Sequence, residues 1–272
     1  FAIDWYDQNQ CHSSNPDVHD KTLGRIFKIS HDNDRWVQVN LYKASDLELV
    51  NYQLHPNEFY VRQARTILQE RGANPEVHAT LKKILANNVD ITRKLRALWT
   101  LHVTQGINEK ELNHLLSNDN EYLRSWAIQL LTEDKKISPT TLDRFVDLAK
   151  NDASALVRLY LSSALLRLEP ATSWRVLEAL VQKSEDVADH NLPLMLWYAT
   201  EPLIPLDVKR ALELAGKAKI PNILSYTLQR IDALNTVDSK NLLKKYKEQL
   251  TAGDKEENQA HIMLIDNLLS EQ

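Results

Sequence analysis

The sequence predicts a mainly α fold, an α-solenoid of stacked helix pairs, on three observations. One short phrase recurs, an arginine among apolar residues at helical spacing. It reads Tyr60-Val61-Arg62-Gln63-Ala64, Lys94-Leu95-Arg96-Ala97-Leu98, Tyr122-Leu123-Arg124-Ser125-Trp126-Ala127 and Leu156-Val157-Arg158-Leu159-Tyr160, with the arginines 34, 28 and 34 residues apart. That period belongs to arrays whose units bury their apolar faces only by stacking. Composition points the same way: five glycines and four phenylalanines in 272 residues, against abundant Leu, Ala and Lys, favour helices over many short strands. Finally, breakers and caps punctuate the chain at short, regular intervals.

Residues 1–43 differ from the remainder of the chain. Phe1 to Tyr6 and Gly24-Arg25-Ile26-Phe27-Lys28-Ile29 read as short strands, Asn15-Pro16-Asp17 as a turn between them, and Trp36 to Leu41 as a further extended segment. Two or three strands bury little by themselves. This segment therefore either packs on the first helices or belongs to a larger β domain. The chain opens on Phe1 in what reads as the inside of a folded element, so a longer parent polypeptide is expected.

From residue 44 to 272 the pattern is helical. Asp46 is the expected N-cap of a first short helix, His55-Pro56-Asn57 interrupts, and Gly72 closes the next helix. Six pairs come after it: 75–87 with 92–105, 109–117 with 121–132, 139–150 with 154–168, 172–183 with 190–200, 205–218 with 221–234, and 238–250 with 255–270. Their separators are Asn88, Gly106, Asn118 to Asn120, Asn151-Asp152, Glu169-Pro170, Glu201-Pro202, Ile220-Pro221 and Ala252-Gly253. Connections this short make successive helices antiparallel neighbours. Leu95, Leu98, Trp99 and His102, like Leu123, Trp126, Ala127 and Leu130, recur at i, i+3, i+4 and i+7, a stripe expected to be buried.

A formal charge of −4 leaves no basic excess to neutralise phosphates, so nucleic acid is not the expected partner. No apolar run reaches the length of a membrane span. The single Cys11 rules out an internal disulfide and any Cys-x-x-Cys site. No nucleophile-elbow, phosphate-loop or zinc-protease motif occurs. No catalytic, cofactor or metal residue is assigned.

The recurring arginines suggest a ladder. Asp90, Asp119 and Asp152 precede Arg96, Arg124 and Arg158 by five or six residues, so the carboxylates sit at helix entries and each guanidinium fork is placed to reach a carboxylate or carbonyl of the adjacent layer. The alternative is an arginine row that binds anionic ligands. This Asp-then-Arg arrangement resembles HEAT repeats.

Two stretches carry a narrower resemblance. Asp4-Trp5-Tyr6-Asp7, then Cys11-His12, Asn15-Pro16, Asp20 and Gly24 to Ile29, resemble the closing strands of the β-propeller in bacterial multidomain membrane-bound dehydrogenases of the PVC haem-binding type. His55-Pro56-Asn57-Glu58-Phe59-Tyr60-Val61-Arg62-Gln63-Ala64-Arg65 and Asn191 to Pro202 resemble the helical repeats of that family. The resemblance implies a parent protein with a propeller related to sugar dehydrogenases, HEAT-like repeats and a c-type cytochrome domain, outside the cytoplasm in the periplasm. The chain departs from that pattern: Gln8 stands where Cys-x-x-Cys-His would need a second cysteine before Cys11-His12, and most propeller blades are missing. No catalytic residue carries over, and no cofactor is expected in this chain.

Other candidates have plain readings. Asp4, Asp7, His12, Asp17, His19 and Asp20 supply oxygen and imidazole donors but no recognised metal-ligand spacing, so loop capping is expected. Cys11 is expected to be buried rather than reactive. Leu194, Trp197 and Tyr198 are expected to face the interior, with a partner groove as the alternative. Lys240, Lys244, Lys245 and Lys247 are followed closely by Glu248, Asp254, Glu256 and Glu257, a solvated face. The expected task is a non-catalytic scaffold that positions neighbouring domains or binds a protein partner. The alternative is a share in a quinoprotein-like sugar or alcohol dehydrogenase.

Overall fold

Helices begin where the sequence supplies side-chain oxygens. The structure, a computed structural model, describes residues 2–4, 14, 15, 17, 25–31, 38–253 and 255–270. Ser45, Asn57, Asn74, Asp90, Asn108, Asn120, Ser138, Ser154, Asp207 and Thr236 each accept a backbone N–H of the helix they precede, each cap contributing about 1 kcal/mol. Pro75, Pro139 and Pro221 occupy first helical turns, where a missing N–H costs nothing.

The helices pair into seven layers. They are α1 (Asp46–Asn51) with α2 (Glu58–Arg71), α3 (Pro75–Asn87) with α4 (Ile91–Val103), α5 (Glu109–Leu115) with α6 (Glu121–Leu131), and α7 (Pro139–Asn151) with α8 (Ala155–Leu165). After them come α9 (Trp174–Leu180) with α10 (Leu192–Thr200), α11 (Val208–Lys217) with α12 (Pro221–Ala233), and α13 (Val237–Ala252) with α14 (Lys255–Ser270). The second helix of each layer packs on the second helix of the next, from α2 through to α14. Some first helices are separated by clefts, one of about 660 Å³ between α3 and α5 and one of about 370 Å³ between α9 and α11, whereas α1 packs on α3 and α7 on α9. One apolar core runs from Leu95 to Ile265 through Phe145, Leu161, Leu177 and Ile231. The α-solenoid expected from the sequence is the fold observed.

Phe1–Lys43 and Ala44–Gln272 are two separate compact units. In the first, strand β1 (Ala2–Asp4) runs antiparallel to β2 (Arg25–Phe27), with Ala2 opposite Phe27 and Asp4 opposite Arg25. Ile26, Phe27 and Ile29 are exposed. The extended segment expected over Trp36 to Leu41 is corrected in part: Gln38 to Asn40 is irregular and Leu41–Lys43 is a 3₁₀ turn, while Trp36 and Val37 lie outside the described residues.

Two caps also need correction. Ser45, not Asp46, caps α1: its hydroxyl accepts from Glu48 N–H while the Glu48 carboxylate accepts from Ser45 N–H at 2.7 Å, a reciprocal box that an Asp one residue later cannot close. Asp46 instead bonds Arg71 and Asn74 of the neighbouring helices. At the end of α4, Gln105 rather than Gly106 takes the left-handed position, at φ 60°. Gln105 N–H reaches His102 O and Gly106 N–H reaches Leu101 O, a Schellman closure. Glycine is needed at 106 for another reason: a Cβ there would sit 2.5 Å from the His78 ring.

The arginine ladder exists at three rungs, of which two reach forward to the next layer and one back to the layer before. Arg124 donates through Nε and Nη2 to both oxygens of Asp152, 28 residues on, and through Nη1 to the carbonyls of Asn118 and Asp119. Arg158 repeats this with Asp186 at 2.6 and 2.5 Å, and with the Asp152 carbonyl. Asp186 holds the Arg158 guanidinium more firmly charged against the opposing effect of burial. Both arginines stand four residues after their caps, Asn120 and Ser154. In α4 that position is Lys94, which donates to Ala86 O.

Arg96 lies two residues further along, about 200° around the helix, and so faces the preceding layer, bonding Glu58, His55 O and Gln53 O. Arg62 is exposed and, among the described residues, pairs with Glu58 alone, at 3.8 Å. The four arginines share a phrase but not one role.

Candidate functional site

The second helices carry a row of half-buried side chains at one repeated position. Counting from the residue that precedes each helix (Asp90, Asn120, Ser154, Asn191, Ile220), the sixth residue is Arg96, Trp126, Tyr160, Trp197 and Tyr226 in turn. The position has a physical cause. In α6, α8 and α12 the third and seventh residues, Leu123 and Ala127, Val157 and Leu161, Ile223 and Thr227, are fully buried, and the sixth sits about 100° from the seventh, on the flank of that stripe; α10 buries Leu192, Leu196 and Ala199 instead, so Trp197 shares the count but not the stripe. One edge of each ring packs on the core and the other is left to solvent.

These rings touch across layers. Trp99 of α4 meets Trp126 of α6 at 4.8 Å between centroids, Trp126 meets Tyr160 of α8 at 6.3 Å, and Trp197 of α10 meets Tyr226 of α12 at 5.3 Å. All three are tilted or edge-on, the arrangement that ring quadrupoles favour. Between Tyr160 and α10 lies a cleft of about 420 Å³ lined by Trp126, Gln129, Leu159, Tyr160, Ser163, Asn191 and Met195. It has an aromatic wall, an apolar floor and three uncharged hydrogen-bonding side chains. Tyr122, one turn before Trp126, and Leu194 and Tyr198, flanking Trp197, are all nearly half exposed. The expectation that Leu194 and Tyr198 face the interior is therefore corrected: Leu192, Leu196 and Ala199 fill the core of α10, and these two project on its outer faces. Trp197 is half buried against Tyr226.

Beyond Trp99 the row becomes cationic. The Arg65 guanidinium of α2 lies 5.4 Å from the Trp99 ring centre, within cation–π range. Among the described residues Arg65 Nη1 and Trp99 Nε1, both buried, find no hydrogen-bond partner. Burial lowers the Arg65 pKa; Glu58 opposes that, and Arg62 and Arg96 add to it.

The larger cleft between α3 and α5 has Lys82, Lys94 and Lys110 on its walls, and two of the three are engaged. Lys82 bonds Glu111 across the cleft at 2.6 Å and Lys94 bonds Ala86 O, so these two charges serve to join α3 to α5 and to close a turn.

Shifted carboxyl groups in the array trace caps and junctions. Arg71 and Asn74 hold Asp46 below the usual range, Thr92 holds Asp90 there, and Ser138 with Thr141 does so for Glu109. Asp189 is lowered by the N–H groups of Leu192 and Asn191. Each is a fixed hydrogen-bond acceptor, with its charge committed to the scaffold.

Of the candidate oxygen and imidazole donors near the start of the chain, expected to cap loops, Asp4 lies on β1, and Asp17 is exposed with its N–H on Asn15 Oδ1. Asp7, His12, His19 and Asp20, with Cys11, lie outside the described residues. No group of three or more metal-ligating residues occurs among the described residues. Among the C-terminal lysines, Lys247 pairs with Asp266. No helix among the described residues is long and apolar enough to cross a membrane.

Sequence inspection singled out the arginines and assigned Trp126 to the core. The aromatic row was missed because its members sit in unlike contexts, and only counting from each cap puts them in register. No protein-family model matches the chain, and no curated protein or solved structure shows significant similarity to it.

Proposed function

We propose that residues 44–272 act as a non-catalytic helical-repeat scaffold that docks a protein partner or neighbouring domain on the row of second helices. The observation that carries this reading is a file of half-buried rings on the second helices, with Trp126, Tyr160 and Tyr226 at one position beside the core stripe and Trp197 packed on Tyr226, interrupted by the 420 Å³ cleft. A core that needed only filling has no use for rings left half open. Aromatic side chains flanked by uncharged hydrogen-bonding groups are the usual anchors of protein interfaces. Solenoids offer such rows over many layers because each repeat presents the same face.

The test is to pan a phage-displayed library of random twelve-residue peptides on the whole chain. Replacing Trp126 and Tyr160 together by Ala should abolish binding of the selected peptides while leaving the helical circular dichroism in place. Binding indifferent to both substitutions would refute the docking row.

A second reading concerns the parent protein. The exposed Ile26, Phe27 and Ile29 on and beside β2 favour placing residues 1–43 in a larger β domain, in keeping with the resemblance to haem-binding dehydrogenases. The scaffold would then connect a propeller to a c-type cytochrome domain in the periplasm. Supplying the chain with a quinone cofactor, calcium and an artificial electron acceptor should give no turnover. Turnover would instead assign the chain a share of the dehydrogenase chemistry.

A further inference from the structure

We infer that the partner segment is acidic, and that its carboxylates are received where α2 meets α4, by Arg62 and Arg65 beside Trp99, before it continues along the aromatic row. The inference rests on the docking reading and adds the charge and direction of what docks.

Three observations carry it. First, Arg65 Nη1 and Trp99 Nε1 are buried without a partner among the described residues. Both groups only donate, so what the pair lacks is an acceptor. Second, the local charge is unbalanced. Arg62, Arg65 and Arg96 share Glu58 as counter-ion, and Arg96 already holds it at 2.5 Å, leaving Arg62 at 3.8 Å and 73% exposed. Among the described residues one carboxylate thus serves three guanidinium groups, in a chain whose formal charge is −4. Third, the Arg65 guanidinium rests on the Trp99 ring, a contact worth about 0.5–1 kcal/mol at a partly exposed site. A carboxylate offers charge-assisted, two-pronged bonds of about twice the strength of neutral ones. An arriving carboxylate therefore draws Arg65 off the indole face and relieves the unpartnered donor.

The occupant is a peptide rather than a free anion because the site opens onto the aromatic row. Rings succeed one another at 4.8 and 6.3 Å from Trp99 to Trp126 to Tyr160, and the cleft beyond is uncharged. An extended segment rising about 3.3 Å per residue spans from Arg65 to that cleft in about five residues. The structure thus favours a segment with one or two Asp or Glu side chains, and an aromatic or long apolar side chain about five residues away. Single-stranded nucleic acid also stacks on aromatic rows, but it needs continuous basic charge. Gln129, Ser163 and Asn191 provide none.

Panning the same peptide library decides the matter when its selected sequences are read and the enriched peptides are synthesised with a fluorescent label. Expected are Asp or Glu clusters about five residues from an aromatic, binding that falls about tenfold or more in Arg65→Gln, and binding that weakens with salt. Arg65→Gln should melt no lower than the parent chain, because it removes an unpartnered charge. Enrichment of neutral or basic peptides, or acidic peptides indifferent to Arg65→Gln, would overturn the acidic partner. If the neutral peptides still depend on Trp126 and Tyr160, the docking row itself survives. Failure to enrich any peptide, or tighter binding of a labelled oligo-dT, would sink both readings.

Discussion

The middle of the array and its C-terminal end are joined by different chemistry. Between α6 and α10, successive layers are held by buried bidentate pairs: the Arg124 and Asp152 side chains are 14% and 4% exposed, and those of Arg158 and Asp186 3% and 2%. From α10 to α14 the equivalent joints are apolar, with ion pairs such as Arg230 to Glu201 and Lys247 to Asp266 at side-chain exposures of 33–51%. The difference arises in the turns. Asn88, Asn118, Asp152 and Asp189 each accept the N–H two residues on, at 2.8–2.9 Å. Only Asp152 also receives the arginine of the layer before, and Arg158 finds the nearby Asp186 instead. An array can therefore keep one fold while its junctions differ in whether a removed charge leaves a buried partner behind.

The largest break in that comparison comes at the most buried rung. Asp186→Ala strands the Arg158 guanidinium in the core and should cost about 3–5 kcal/mol of unfolding free energy. Arg124→Ala should cost less, about 2–3 kcal/mol, because Asp152 keeps its bond to the Ser154 N–H and Arg124 is partly exposed. Lys247→Ala, at an exposed pair, should cost under about 1 kcal/mol. Urea unfolding of the three variants measures the order, and equal losses in all three would remove the distinction between the regions.

Acid should separate the regions by location rather than size. Burial lowers the pKa of His261 on α14. An imidazole depressed in the folded state supports folding fully above its unfolded value, about 6.5, and loses that contribution as pH falls through the folded value. The lowered carboxyl groups of Asp46, Asp90 and Glu109 in the first layers act in a more acid window. Their contribution is present above about pH 4 and is lost as pH falls through their folded values. Hydrogen exchange corrected for intrinsic pH effects should therefore show α14 loosening as pH falls below about 6.5, while α3 to α8 stay protected until the carboxyl groups titrate. His261→Gln should abolish that step. Loosening of α3 to α8 in the same window would count against the assignment.

Most of this scaffold was legible because its signals are local. Caps and prolines mark where a helix begins whatever surrounds it, so 75–87, 109–117 and 221–234 were bounded within a residue or two of α3, α5 and α12. The arginine phrase was legible as text but not as geometry. Arg96 and Arg124 look alike in sequence, yet their distances from Asp90 and Asn120 differ by two residues, which turns one toward the preceding layer and the other toward the next. The aromatic row needed the same counting. Half-burial of Trp126 and Tyr160 depends on the layers that pack beside them, and Leu194 at helical spacing reads as core until α12 is known to take the other side of α10.

The smallest effect is expected at the turn after α4. Gln105 adopts φ 60°, a conformation that costs an L side chain roughly 1–2 kcal/mol, in the position that helix ends usually give to glycine. Gln105→Gly removes that cost but lets the unfolded chain roam more widely, which returns about 0.4–1 kcal/mol. The net should be a gain of a few tenths to about 1 kcal/mol, read as a higher melting temperature. Gly106→Ala, one residue on, should do the reverse, because the added methyl meets the His78 ring, which is held by the Thr104 carbonyl and hydroxyl at 3.1 Å. Adjacent positions with opposite outcomes would show that the left-handed turn and the close approach are separate requirements. If both substitutions destabilise, the Gln105 side chain has a role in the turn beyond its backbone.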